Sequence, residues 1–215
     1  MTNFVSLSSE MVVMVILKLL TMTELQLSPT GQYLIDDSIT LGQTWKEMEK
    51  LVGNGYTRSI GVSNYNEAQI EDLVKTAVIQ PVVNQVEIHP YFNNFRLQKV
   101  CREHNIYLTA YSALMPESTS YKFIPWKDIT VDPFVQEIAA KHGVSPQQVL
   151  LRWNVDVGNS VITKSSKPER LQQNYDILKF QLNSDDLTKL NSFKPARYRN
   201  PHDFLLPNEE WFFKD

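Results

Sequence analysis

Short runs of β-branched and aromatic residues alternate along this chain with longer stretches whose apolar positions recur every three or four residues, and this alternation constrains the fold more than any other feature. Arg58–Val62, Pro81–Ile88, Ile106–Tyr111 and Val161–Thr163 read as strands. Thr44 is placed to cap a helix carrying Trp45, Met48, Leu51 and Val52 on one face, with Gly53 and Gly55 available to end it. Asn66 and Gln69 have the spacing of a capping box ahead of Ile70, Leu73, Val74 and Ala77. Leu97, Val100 and Cys101 mark the apolar face of a third helix. Asp132-Pro133 and Ser145-Pro146 each set a capping residue before a proline at the first helical position, with Gly143 between the two helices they open. Pro168–Leu178 and a helix capped by Ser184, with Leu187, Leu190 and Phe193 inward, close the series, and an irregular tail is expected from Pro195 onward.

Parallel strands need a crossover, usually a helix, so the alternation predicts an α/β fold with a parallel sheet, either open and doubly wound or closed into a barrel. No G-x-G-x-x-G follows any strand, which leaves a dinucleotide site of the open-sheet kind unsupported; a barrel binds ligands with its strand-end loops and needs no such motif. A complete barrel takes eight units and roughly 250 residues. This chain of 215 residues shows four such units, and the resemblance carried by its motifs at Thr44–Asn66, Pro81–Phe92, Ile106–Leu114 and Ile162–Asn174 implies an incomplete (β/α)8 barrel of TIM type, its C-terminal half in four to five units, in one domain spanning 1–215 with a divergent N-terminal segment at 1–27.

A hydrophobic fraction of 42%, with 7 Gly and 11 Pro, is that of an ordinary globular domain. The net charge of −3 and the lack of Lys/Arg clusters interleaved with aromatics argue against nucleic acid. Cys101 is the only cysteine, which excludes an intrachain disulfide and a Cys-based zinc site and fits a reducing, cytoplasmic setting. Met11–Leu17 is an apolar run without preceding Lys or Arg, far short of the roughly 20 residues needed to cross a bilayer. A buried strand covering the sheet edge, and no membrane partner, is the expectation.

Four ordered motifs carry a resemblance: TWKEMEKLVGNGYTRSIGVSNYN (Thr44–Asn66), PVVNQVEIHPYF (Pro81–Phe92), IYLTAYSAL (Ile106–Leu114) and ITKSSKPERLQQN (Ile162–Asn174). Together they resemble the aldo-keto reductases, from about Ser28 to the tail. The resemblance implies an extended NADP(H), with nicotinamide at the barrel mouth. Ser63, Asn64 and Gln85 match the residues that hydrogen-bond its carboxamide, and Tyr111 matches the aromatic that stacks on its ring. Ser112 and Leu114 match the pyrophosphate path, with Ala113 where many members have Pro. Lys164, Ser165 and Arg170, around a helix start, match the 2′-phosphate site, although Ser166 and Lys167 depart from the family pattern. Gln173 and Asn174 match the adenine positions.

The family's Tyr acid, its Lys and Asp partners and its substrate-orienting His come from the first four units, and residues 1–27 contain neither His nor Tyr. No catalytic residue is therefore assigned. Glu87 and His89 are two apart on one strand, a spacing open to acid–base or metal chemistry, but no other His or Cys completes a ligand set, and a structural role is expected. No metal is expected. His104, His142 and His202 are expected in solvent, and Cys101 as a small buried hydrophobe. Trp126, Trp211 and Phe212, with Leu205, Leu206 and Phe213, either wall an apolar substrate pocket or cover the barrel flank.

The function implied is NADP-dependent reduction of aldehydes or ketones to alcohols by hydride transfer. The alternatives are an inactive truncated relic that at most binds NADP(H), and an interaction module that self-associates through an open strand edge near Arg58–Val62.

Overall fold

The computed structural model describes residues 12–15, 38–115 and 128–193. Among them are five strands: β1 (Val12–Val15), β2 (Ser59–Ser63), β3 (Val83–Glu87), β4 (Tyr107–Tyr111) and β5 (Ser160–Val161). Seven α-helices accompany them: α1 (Leu41–Gly53), α2 (Glu67–Thr76), α3 (Phe95–Glu103), α4 (Pro133–His142), α5 (Pro146–Asp156), α6 (Pro168–Tyr175) and α7 (Ser184–Asn191). The sheet runs in the order β1-β2-β3-β4-β5, and the β1–β2 and β4–β5 pairs are parallel. Sequential β/α units building neighbouring parallel strands are what a portion of a β/α barrel requires.

The chain divides into two compact units; of the described residues, 12–15, 38–84 and 99–107 belong to the first, and 85–98, 108–115 and 128–193 to the second. In the first, β1 lies against β2 with Val12 opposite Ser59 and Val15 opposite Val62. Residues 59–62 of the edge expected to be open at 58–62 are thus paired with β1, in line with the expectation that the apolar run at 11–17 covers that edge. Helix α1 begins one turn earlier than expected. Its cap is Thr40, not Thr44: the Thr40 hydroxyl accepts from the Gln43 N–H, and Gln43 Oε1 accepts from the Thr40 N–H at 2.8 Å. Trp45 turns inward and donates from Nε1 to the Ile79 carbonyl at 3.0 Å. Glu49 secures the same loop by accepting from the Val78 and Ile79 N–H groups. The predicted capping box on α2 is present, Asn66 with Gln69, and Ile70 and Leu73 are its buried residues. Gly61 in β2 has no room for a side chain, since a Cβ there would lie 2.7 Å from the Val83 carbonyl oxygen.

In the second unit α4 and α5 form the core, with Val135, Ile138, Val149, Leu150, Leu151 and Trp153 almost wholly buried. Both open as Asp132-Pro133 and Ser145-Pro146 foretold, and α4 ends on Gly143 at φ 65, a left-handed conformation that costs glycine little. Asp132 also accepts from the Tyr91 hydroxyl at 2.6 Å, and Phe193 meets the Tyr91 ring edge-on at 4.9 Å. Helix α7 is capped by Asn183 rather than Ser184, because Asn183 Oδ1 takes the Asp186 N–H and Asp186 Oδ2 returns to the Asn183 N–H. Asp186 is buried and also binds Lys141 Nζ at 2.8 Å and His142 Nε2 at 2.7 Å, so His142, expected in solvent, is hydrogen-bonded and only 18% exposed. Strand β5 is shorter than the expected Val161–Thr163 and starts at Ser160, and α6 gives way at Asp176 to a 3₁₀ turn through Lys179.

Candidate nucleotide site

The residues matched to a nucleotide occupy comparable positions on their own elements. Ser63 is the last residue of β2, with Asn64 following it; Tyr111 is the last residue of β4, with Ser112 following it; and Lys164 stands three residues past β5. These are the carboxyl ends of parallel strands, where open and closed α/β sheets bind ligands. Gln85 departs from this rule, being the central residue of β3. Burial alternates along β3 and β4: Asn84, Val86, Leu108 and Ala110 are buried, while Gln85, Glu87, Thr109 and Tyr111 are half-buried. Gln85 and Tyr111 therefore stand on the less covered face of their strands.

Two matched residues have left-handed backbones, Asn64 at φ 60 and Ser112 at φ 50. Non-glycine residues adopt this region seldom, Asn most readily, and such positions concentrate where a loop must aim its groups. Beyond Ser112 the turn closes through the Met115 N–H on the Ser112 carbonyl at 2.7 Å. Ala113 is buried in a cluster with Leu151 and Ile177, and Leu114 packs against that cluster, so both help fix the turn from below.

The phosphate-matched group lies around α6. The cap residue Lys167 makes no side-chain hydrogen bond to the first turn, and Pro168 fills the first helical position without an N–H. Lys164 and Arg170 are exposed. The Ser165 hydroxyl accepts from the Lys167 N–H at 3.1 Å, which shapes the approach to the helix. A helix start with uncapped N–H groups, a partial positive charge and two nearby cations is a donor set suited to a phosphate. At the other end of α6, Gln173 is exposed and its carbonyl accepts from Gln148 Nε2 at 3.0 Å, tying this turn to α5, while Asn174 is half-buried. Trp126, Trp211, Phe212 and His202 lie outside the described residues.

Glu87 and His89 do come together, with His89 Nε2 3.3 Å from Glu87 Oε1, and His89 is wholly buried. The segment they flank is held by side-chain amides: Asn94 Nδ2 donates to the Glu87 carbonyl at 2.8 Å, and buried Asn154 donates to the Ile88 carbonyl. Among the described residues no group of three or more His, Cys, Asp or Glu is arranged to hold a metal, and no helix is long and apolar enough to cross a membrane. Cys101 is buried, and burial pushes its thiol up to about 12, the opposite of an activated nucleophile. His104 is partly exposed and lies 3.3 Å from Glu71.

The sequence profile of the Aldo/keto reductase family matches residues 29–195. The chain belongs to this family. An NADP-dependent D-sorbitol-6-phosphate dehydrogenase of Malus domestica is 37% identical over 177 residues, 82% of this chain and 56% of that protein. Aldose reductase C of Dictyostelium discoideum is 41% identical over 154 residues, 72% of this chain and 46% of its own. An NADH-dependent D-xylose reductase of Candida parapsilosis is 36% identical, with 78% and 53% covered. Among solved structures, the aldose reductase from Schistosoma japonicum superposes with a TM-score of 0.77 at 31% identity, over 89% of this chain and 59% of that one. The chain spans about half the length of the curated aldo-keto reductases it matches. Those relatives carry both NADP and NADH in their names, so membership of the aldo-keto reductases does not by itself choose the nucleotide.

Proposed function

We propose that this chain binds NADP(H) and acts as an oxidoreductase of the aldo-keto reductase type on small aldehydes, ketones or the matching alcohols. The observation that carries the nucleotide choice is the start of α6, where a first turn without a side-chain cap is accompanied by exposed Lys164 and Arg170. NADP differs from NAD by one phosphate, and two cations beside free N–H groups favour the more charged nucleotide. Ser165 shapes that approach, Ser112 and Leu114 are assigned the pyrophosphate path, and Gln173 and Asn174 the adenine. Ser63, Asn64 and Gln85 are assigned the nicotinamide carboxamide, whose donor and acceptor they can both satisfy. The half-buried ring of Tyr111 offers a flat face for stacking, which fixes the side from which a substrate approaches. When bound, the nicotinamide supplies hydride to a carbonyl carbon. Trp126, Trp211 and Phe212 are the proposed apolar walls for the substrate.

The test begins with fluorescence titration of purified protein with NADPH and NADH, wild type against a Lys164→Ala/Arg170→Ala double variant. Loss of two charge-assisted contacts is expected to weaken NADPH by about tenfold or more and NADH by less than about twofold. Equal weakening of both nucleotides would remove the phosphate assignment. Adding an aromatic aldehyde and following nicotinamide absorbance then tests turnover. A second reading is nucleotide binding without carbonyl reduction: the motif residues matched to the family are all assigned to the nucleotide. Binding without oxidation supports that reading, and oxidation of NADPH rejects it.

A further inference from the structure

We propose that Asn84 is a positioning residue for nucleotide binding: its side-chain amide clamps the backbone of Tyr65 and so holds Ser63 and Asn64 in the conformation that receives the nicotinamide carboxamide. The inference rests on the nucleotide reading above and adds to it a residue that the motif match does not assign. Asn84 is the second residue of β3, on its buried face, with no exposed surface. Its Nδ2 donates to the Tyr65 carbonyl at 2.8 Å, and its Oδ1 accepts from the Tyr65 N–H at 3.4 Å. One planar amide thus engages both backbone groups of a single residue, as a neighbouring strand would, at the point where β2 has ended and its ladder no longer constrains the chain.

The need for such a clamp follows from Asn64. A left-handed backbone is unfavourable for a non-glycine residue and persists only when its surroundings over-determine it. Residues 63–65 are held on one side by β2 and on the other by Asn66, which is committed to capping α2. Tyr65 lies between, its ring buried to 5% exposure and its backbone taken by Asn84. An aliphatic residue of Asn84's size would fill the same space without the cost of burying an amide, so the amide contributes through its hydrogen bonds rather than through packing.

Asn84→Asp keeps the shape and the acceptor but makes the donor depend on a proton. Protonated, the acid can donate to the Tyr65 carbonyl; ionised, it faces that carbonyl oxygen against oxygen. Burial favours the neutral acid at low pH. The ratio of the variant's NADP+ dissociation constant to that of wild type at the same pH, measured by calorimetry, is expected to be within about threefold at pH 5.5 and about tenfold or more at pH 8, the scale of one lost buried hydrogen bond. In an Asn64→Ala background the pH 8 penalty is expected to shrink below about twofold, whereas in Lys164→Ala it persists in full, because only neighbours acting through one another fail to add. A ratio that does not change with pH, or a penalty equally large in both backgrounds, overturns the inference. Failure of wild type to bind NADP+ overturns the nucleotide reading itself, and with it this one, before any variant is needed. If Asn84→Asp does not fold at pH 8, hydrogen exchange of wild type decides: the Tyr65 amide is expected to be strongly protected without nucleotide, and exchange at the rate of an open loop overturns the clamp.

Discussion

A methyl group at position 61 has nowhere to go. An added Cβ would sit 2.3 Å from Val83 Cγ1, which can rotate, and 2.7 Å from the Val83 carbonyl oxygen, which cannot move without disturbing β3. Gly61→Ala is therefore expected to lower unfolding free energy in urea by about 1–3 kcal/mol; an unchanged midpoint would mean that the two strands can part at little cost. Asp186 makes a second prediction at this scale. Burial works against its carboxylate, but hydrogen bonds from Lys141, His142 and the Asn183 backbone outweigh burial and hold the group below its ordinary value of 3.8. A carboxylate whose pKa is depressed by folding adds stability that is present above the unfolded pKa and is lost as pH falls through the folded one. The thermal midpoint should fall as pH is lowered from about 5 to 3, and Asp186→Asn should start lower at neutral pH and lose part of that slope. A slope identical to wild type would remove Asp186 from the acid transition. None of this cluster was legible in the sequence, because Asp186 lies 45 residues from Lys141 and 44 from the adjacent His142, and each reads alone as a solvated polar group. Cys101 was legible, since its position on an apolar helix face already placed it in the core.

At the scale of elements, the helix faces came through from spacing and the helix starts less evenly. Asn66, Asp132 and Ser145 were recognisable because each combines a capping residue with a confirming neighbour, Gln69 or a proline. The start of α1 was misread because Thr44 immediately precedes the apolar Trp45, whereas the turn after Thr40 contains Gly42, a poor helix former; the informative pair was Thr40 with Gln43. This yields a paired test. Thr40→Ala should cost about 1 kcal/mol because the Gln43 N–H loses its side-chain acceptor, while Thr44→Ala, inside the helix, should be neutral or slightly stabilising. Chemical denaturation of both variants checks it, and a larger loss at Thr44 than at Thr40 would contradict the observed cap. Strand β5 was read late by one residue since Ser160, exposed and polar, gives no strand signal; its hydroxyl is instead held 2.7 Å from that of Thr109 across the pair.

For the whole molecule, four motifs in order made family and fold class legible, because each contains or directly follows a strand and together they run through most of the matched region. The proposed cofactor positions were read from those motifs, whereas a role for Asn84 was not: an Asn at a buried strand position gives no sign of what it bonds until the chain is folded. The edge of β2 was the point at which length arithmetic suggested an exposed ladder, and β1 instead lies along it in parallel register, Val12 to Ser59 through Val15 to Val62. Strand edges are templates for association unless paired or blocked, so this pairing bears on the state of the entire chain. Successive residues of a strand direct their amides to opposite sides, and a Val13→Pro/Met14→Pro double substitution must remove a donor on the side facing β2, whichever residue supplies it. The expected result is faster hydrogen exchange at Ile60–Val62 and a concentration-dependent increase in mass by light scattering, with wild type unchanged over the same range. If exchange accelerates and the mass does not grow, the freed edge is blocked by something other than β1; if neither changes, β1 contributes nothing to closing the edge, and the apolar run at 11–17 has lost its structural role.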